Sequence, residues 1–232
     1  MYHFVRRTSV VPALLVTLPL ALADLAWLDA HDHGWGPLFG IAFLGTLTLV
    51  LATLARDAGK TRESHLLRLW GGKPVIRRLR HRDAPPGSPL AAQHRQLEKT
   101  ILGLHMPTAS EEQADPDAAE AIYRRVASFL QERGRIHGSA ARDSLERYRL
   151  RRTLFGFKPI GIVTASLGAA AAFGLIVTTR VSRDAHPVAL AVTVALLNVG
   201  LALGWSLLVT PDWVKISAEE YAERLLAICD QI

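Results

Sequence analysis

Cysteine is almost missing from this chain: one residue, Cys229, stands among 232. No disulfide can close within the chain, and no oxidising compartment is implied. The common catalytic signatures are missing too. There is no GxxxxGK[ST], no GxGxxG following a strand, no HExxH, no CxxC and no GxSxG. The chemistry those spacings serve (phosphate cradling, dinucleotide binding, zinc hydrolysis, dithiol exchange, serine nucleophiles) therefore has no local support. The expectation is a protein that is not an enzyme and carries no cofactor. Polar–apolar alternation of the strand type is also lacking.

Charge is the most informative absence. Four segments, Val10–Leu28, Pro37–Ala55, Pro159–Thr179 and Val188–Thr210, contain a single charged residue between them, Asp24. Each is close to the roughly 20 apolar residues that a helix needs to cross a bilayer. Half of all residues are hydrophobic and the mean hydropathy is +0.18. A cleaved signal peptide competes for the first segment, with Arg6 and Arg7 in front and Ala21-Leu22-Ala23 as a cleavage-like site. Apolar sequence resumes after Asp24 and another long run follows, which is the pattern of a hairpin.

What is present is a surplus of positive charge between the two apolar blocks. Residues 57–158 hold 20 Lys/Arg against 12 Asp/Glu, a net charge of +8, whereas the loops Asp29–Gly36 and Arg180–His186 hold none and two basic residues. The positive-inside rule then places both termini and the middle region in the cytoplasm of a bacterial inner membrane. The expected fold is all-α, with four transmembrane helices in two hairpins, a cytoplasmic helical insert and an amphipathic C-terminal helix. Its parts are 1–56, a first hairpin; 57–158, a basic helical domain; 159–210, a second hairpin; and 211–232, the C-terminal helix.

Helix signals recur in the insert. Ser88-Pro89 reads as an N-cap and first-turn pair, with Leu90, Leu97, Ile101 and Leu104 on one face. Asp115-Pro116 opens a second helix with a stripe of Ala119, Ile122, Tyr123, Val126, Phe129 and Leu130, which Gly134 is expected to stop. A third starts at Ser139 and runs toward the membrane, and "DAPPGS" (83–88) is the main loop. In the C-terminal segment Ser217-Ala-Glu-Glu220 reads as a capping box before Tyr221, Leu225, Ile228 and Ile232, a helix to lie on the membrane face or on the insert. "WGGKP" (70–74) and "FGFKP" (155–159) echo each other across the insert, a similarity short enough for chance.

Few residues offer chemistry. Asp29, His31, Asp32 and His33 in the first loop are metal-ligand types, but no further ligand accompanies them, and a polar hairpin cap explains them equally. No metal site is expected. Asp24 and Asn198 are polar groups inside spans, which either line a pore or pair within the bundle. Gly200-xxx-Gly204, with Gly161, Gly168 and Gly174, lets helices approach closely, within or between subunits. From Lys60 to Arg82 there are eight Lys/Arg and one acid, Glu63. That run fixes orientation and touches anionic lipid, or it binds a phosphate-rich ligand through arginine's bidentate fork. Arg77, Arg78, Arg80, Arg82, Arg151 and Arg152 are the candidate ligand contacts.

Three stretches, "LWGGKPVIRRLRHRD", "MPTASEEQADPDAAEAIYRRV" and "LERYRLRRTLFGFKPIGI", resemble a group of bacterial four-span proteins. In that group the last element reads closer to E-N-x-x-Y-G-F-R-R-N. Here Glu146, Tyr148, Arg151 and Arg152 match, Arg147 replaces the Asn, and the Gly-Phe is lost. The group looks like the membrane effectors of nucleotidyltransferase-based anti-phage systems of the Hailong type. The resemblance implies a homo-oligomeric channel, closed until a nucleotide or DNA oligomer made by a neighbouring nucleotidyltransferase acts on its basic part. A tetramer is the expected assembly. The alternative is a membrane scaffold that recruits a cytoplasmic protein or anionic lipid.

Overall fold

In the computed structural model, which describes residues 2–30, 36–85, 87–182 and 186–228, every regular element among the described residues is a helix. In chain order they are α1 Tyr2–Ala30, α2 Gly36–Trp70, α3 Pro74–Arg77, α4 Leu90–Thr100, α5 Ala109–Ala114, α6 Pro116–His137, α7 Ser139–Ser182, α8 His186–Leu207 and α9 Pro211–Leu226. Three stretches are long and apolar enough to cross a membrane: Ser9–Leu28, Ser139–Thr179 and Val188–Leu207. Gly40–Ala55 qualifies only together with its continuation Asp57–Arg77, so among the described residues there are three such helices, or four if that pair counts as one. The all-helical, membrane-type fold expected from the sequence is thus present at this level.

The chain divides into two compact units, Met1–Glu63 with Arg149–Val214, and Ser64–Tyr148 with Lys215–Ile232. This division cuts across the four-part layout. Residues from Lys215 onward fold with the insert, and Arg149–Lys158 folds with the apolar helices.

The first unit packs through small residues, since in lipid there is no hydrophobic gain in bringing helices together and close approach must supply the attraction. Ala13, Val16, Leu51, Ala55, Leu154, Phe157 and Trp205 form one buried cluster, and Ala26, Ala172, Leu175, Ala191 and Val194 another. Gly156 of α7 lies on the backbone of α2, where a Cβ would stand 2.5 Å from the Ala58 carbonyl oxygen. Gly161 receives the indole of Trp205 against its backbone. Polar ties are few. The Thr17 and Thr48 hydroxyls meet at 3.0 Å between α1 and α2, and the Trp27 indole N–H donates to the Ala171 carbonyl at 3.2 Å. Pro12 and Pro19 sit inside α1 without ending it, as neighbouring helices allow.

The second unit has a buried apolar core that includes Val75, Ile76, Leu79, Leu97, Tyr123, Val126, Leu130, Tyr221 and Leu225. α2 ends in a Schellman motif, the Gly72 N–H reaching the Leu67 carbonyl and Gly71 the Arg68 carbonyl, with both glycines at positive φ. Lys73 and Pro74 then start α3. "FGFKP" by contrast lies within continuous α7, so the two echoing pentapeptides do opposite things and are no structural repeat.

Four local expectations change. α4 starts at Leu90 with Pro89 in the cap position and no side-chain cap, so Ser88 is not the N-cap. Gly134 does not stop α6, which continues to His137; it makes room for Leu225. α9 begins at Pro211 rather than after Ser217, because Thr210 accepts from the Trp213 N–H and Pro211 and Asp212 complete a good first turn. Ser217 is buried in mid-helix. A capping box does exist, unexpectedly, at Thr108 and Glu111. The choice left open for the C-terminal helix resolves toward the insert, since Tyr221, Leu225 and Ile228 join the insert's core.

Candidate functional site

The six candidate arginines fall into two sets, four in the second unit and two in the first. In the second unit, Asp115 caps α6 by accepting from the Ala118 N–H and so fixes the register that presents Glu120. Arg80, at the end of the short turn after α3, is buried and meets Glu120 with a bidentate fork. Its Nε and Nη2 donate to the two carboxylate oxygens at 2.9 and 2.8 Å. Its Nη1 donates to the Gly71 carbonyl at 3.0 Å and to Asp83 at 3.3 Å. Burial works to lower its pKa, the Glu120 and Asp83 carboxylates outweigh that, and the net shift is upward.

Arg82 faces two carboxylates, Glu112 at 3.6 Å and Glu120 at 3.9 Å. Glu112 is the hidden centre of this region. One of its oxygens accepts the His81 backbone N–H at 2.7 Å and the Tyr123 hydroxyl at 2.9 Å. The other has no hydrogen bond and looks toward Arg82. Burial pushes the carboxyl up, but those donors and the guanidinium charge prevail, so its pKa is held below the ordinary value. The Tyr123 phenol is pushed up, first by burial and then by the carboxylate it binds. His94, also buried, donates its Nε2–H to the Leu79 carbonyl at 2.9 Å and stands edge-on to His81. Burial lowers its pKa.

Arg77 and Arg78 are placed differently. Arg77 has Asp83 only at 4.0 Å, and Arg78 reaches Glu223 of α9 at 2.6 Å with both side chains largely in solvent. Both line a cavity of about 410 Å³ that opens onto the first turn of α4 and the side of α9. A smaller cavity of about 170 Å³ shares Arg78, Gln93 and Leu226 with it.

Arg151 and Arg152 belong to the first unit. Arg151 lies over the Trp213 ring at 4.8 Å and donates to the Trp213 carbonyl at 2.9 Å. Arg152 pairs with Glu63 at 2.6 Å. Beside them Lys158 donates to the Ser206 and Val209 carbonyls, both at 2.9 Å, closing the C-terminal end of α8. These contacts join α7 to α2, α8 and the start of α9 within one unit. The six arginines therefore divide between the two units, four in the second and two in the first.

Within the apolar helices, Asn198 is fully buried in the protomer. Its Nδ2 donates to the Val194 carbonyl of its own helix, and its Oδ1 accepts nothing and faces Gly168. The side chain is thus packed between α8 and α7. Asp24 sits in the α1–α2 hairpin with its carboxylate against Gly40. At Gly200 and Gly204 an added Cβ would meet nothing within 4 Å among the described residues. His31, Asp32, His33 and Cys229 lie outside the described residues, as does the side chain of Asp29. Among the described residues no three His, Cys, Asp or Glu groups are placed to hold a metal ion.

The sequence assigned no partner to any of the six arginines. Glu112, Glu120 and Glu223 were counted as charge without being assigned to any arginine. The four acids between Lys215 and Ile232 were the available signal that the C-terminal segment offsets the insert. Comparison with family models, with curated proteins and with solved structures gives no match.

Proposed function

We propose that this chain is the subunit of a homo-oligomeric gated pore in a bacterial inner membrane, both termini and the Ser64–Tyr148 region cytoplasmic, acting as an effector in anti-phage defence. An anionic nucleotide or oligonucleotide bound by the extramembrane unit opens it. The observation that carries this reading is the placement of Arg77 and Arg78 on the wall of a cavity of about 410 Å³, a size in the range of small-molecule sites. The open outer faces at Gly174, Gly200 and Gly204 favour assembly into an oligomer, which conduction needs because a lone helical bundle fills its own centre. A tetramer remains the expected count.

A second reading has its own support. Arg80, Arg82, Arg151 and Arg152 are occupied by the fold, and the unit of Ser64–Tyr148 with Lys215–Ile232 carries 16 basic and 14 acidic side chains, a net charge of only +2. A scaffold that recruits a protein or rests on anionic lipid needs no more.

The test is flux. The protein is reconstituted in liposomes loaded with a potassium-sensitive dye and titrated with mononucleotides and short oligonucleotides. Ligand-dependent potassium release supports the pore. Salt-sensitive association with anionic vesicles and no release with any ligand supports the scaffold and overturns the pore.

A further inference from the structure

Two cavities that share Arg78, Gln93 and Leu226 lie beside α3, α4 and α9, and Glu223 lines the smaller of them. Glu223 of α9 reaches the Arg78 guanidinium at 2.6 Å, and both side chains are open to water, 58% and 40% exposed. Arg77 stands beside it on the same wall, with its own acid only at 4.0 Å. Gln93, shared by both cavities, and Ser88 and Gln96 add neutral hydrogen-bonding groups; Pro85, Pro89 and Leu226 supply an apolar floor.

We propose that this pair of cavities binds a compact ligand carrying a phosphate group, of mononucleotide size, and that the phosphate takes Arg78 from Glu223. The proposal deepens the reading above by naming the site and ligand class, and it rests on that reading only for the consequence at the pore. Three features argue for it. Arg77 and Arg78 both line the larger cavity, and a guanidinium can grip a phosphate with two parallel donors. About 410 Å³ together with about 170 Å³ accommodates a mononucleotide and lies in the usual range for small ligands. The rim carries three acids, Asp83, Glu219 and Glu223, against those two arginines. A run of phosphates along an oligomer would meet these carboxylates, so one phosphate suits the site and a chain of them does not.

The exchange acts on α9. Glu223 lies on the same helix as Tyr221 and Leu225, which with Ile228 just beyond the helix help fill the core of this unit, and as Glu220, which holds Arg147 at 2.6 Å. Taking Arg78 removes an ion pair that ties α9 to the insert, as Arg147–Glu220 also does, and frees a carboxylate next to the bound anion. Ligand binding and loosening of α9 are therefore coupled through one guanidinium.

The experiment is isothermal titration of the full chain in phosphatidylcholine nanodiscs with adenosine 5′-monophosphate, inorganic phosphate and a short oligodeoxynucleotide. Nanodiscs doped with phosphatidylglycerol form a fourth arm. Saturable binding of the monophosphate is expected. Arg78→Gln weakens it about ten- to hundredfold, the loss of one charge-assisted contact. Glu223→Gln tightens it about two- to fivefold, because an exposed competing ion pair is removed. The opposed signs are what a merely structural pair would not give. If binding is lost on doping with phosphatidylglycerol and Arg78→Gln abolishes that competition, the phosphate source is a lipid headgroup. Glu223→Gln leaving affinity unchanged or lower, or Arg78→Gln leaving it intact, overturns the proposal. An oligonucleotide that triggers potassium release while the monophosphate fails to bind also overturns it and leaves the pore standing. Monophosphate binding with the two opposed signs but no release retains the site and removes the pore.

Discussion

Arg80 and Arg78 are two residues apart and chemically identical, yet they differ in what their loss costs. Arg80→Gln deletes a charge that is 8% exposed and leaves Glu120 and Asp83 facing each other across the vacated site. Removing one partner of a buried pair costs about 3–5 kcal/mol. Here the two carboxylates retain 23% and 29% exposure, so they recover part of their hydration, and the expected loss is about 2–3 kcal/mol. Arg78→Gln breaks only an exposed pair with Glu223 and costs less than about 1 kcal/mol. Amide hydrogen exchange in α6, on protein in detergent, reads the opening free energy of this unit without requiring the whole chain to unfold in one step. The loss for Arg80→Gln falls by more than half in a Glu120→Gln background, since the two changes remove the same fork. An Arg80→Gln variant no less protected than Arg78→Gln refutes the assignment of Arg80 to the fold and returns it to the pool of ligand contacts.

Stability of the second unit falls as pH drops from 7 to 5. His94 has a folded-state pKa below its ordinary 6.5, so its contribution is complete above that value and is lost as the unfolded chain takes up the proton first. Glu112, lowered from 4.5, adds the same sign at more acid pH. His94→Gln, which keeps a donor for the Leu79 carbonyl, flattens the first part of the curve, and an unchanged slope in urea titrations at each pH counts against the buried imidazole. Leu225→Ala removes a fully buried side chain and costs about 2–5 kcal/mol, read as earlier proteolytic cleavage within α9; wild-type resistance argues that α9 is not held by this core. Gly156→Ala drives a Cβ onto the α2 backbone and lowers the yield of folded protein, whereas Gly200→Val and Gly204→Val leave folding intact and reduce the oligomer mass measured in nanodiscs. A full-size oligomer in both valine variants excludes that face as the contact.

The helices were legible because their signals are local. Apolar runs of about 20 residues, Asp115-Pro116, and the face carrying Tyr123, Val126 and Leu130 need no knowledge of the rest of the chain. What was not legible is pairing at long range. Arg80 with Glu120 spans 40 residues and Arg78 with Glu223 spans 145, and a charge count cannot say which acid meets which base. Gly134 shows the same limit. Its sequence context fits a helix stop, and only the arrival of Leu225 from α9 explains a glycine in mid-helix. Ser217 failed for a different reason: a good capping pattern lost to a better one at Thr210-Pro211-Asp212 a few residues upstream.

Positive charge is distributed differently between the folded units than along the sequence. Counted along the sequence, residues 57–158 carry +8 and invite attraction of a polyanion by field alone. Counted by folded unit, the insert with the C-terminal segment carries +2, and the unit containing the apolar helices carries 11 basic and 7 acidic residues, a net +4. Arg149, Arg151, Arg152 and Lys158 account for four of the six charges between +8 and +2, and the acids after Lys215 for the other two; all four bases belong to α7 beside the apolar segments. This is where a topology signal and contacts with lipid headgroups need positive charge. An anionic ligand of the second unit must then be selected by local geometry, two adjacent guanidinium groups at a cavity wall, rather than by a basic domain at large. Such a site discriminates by size and by the count of phosphates, and its affinity falls with salt far less steeply than binding that spans many phosphates.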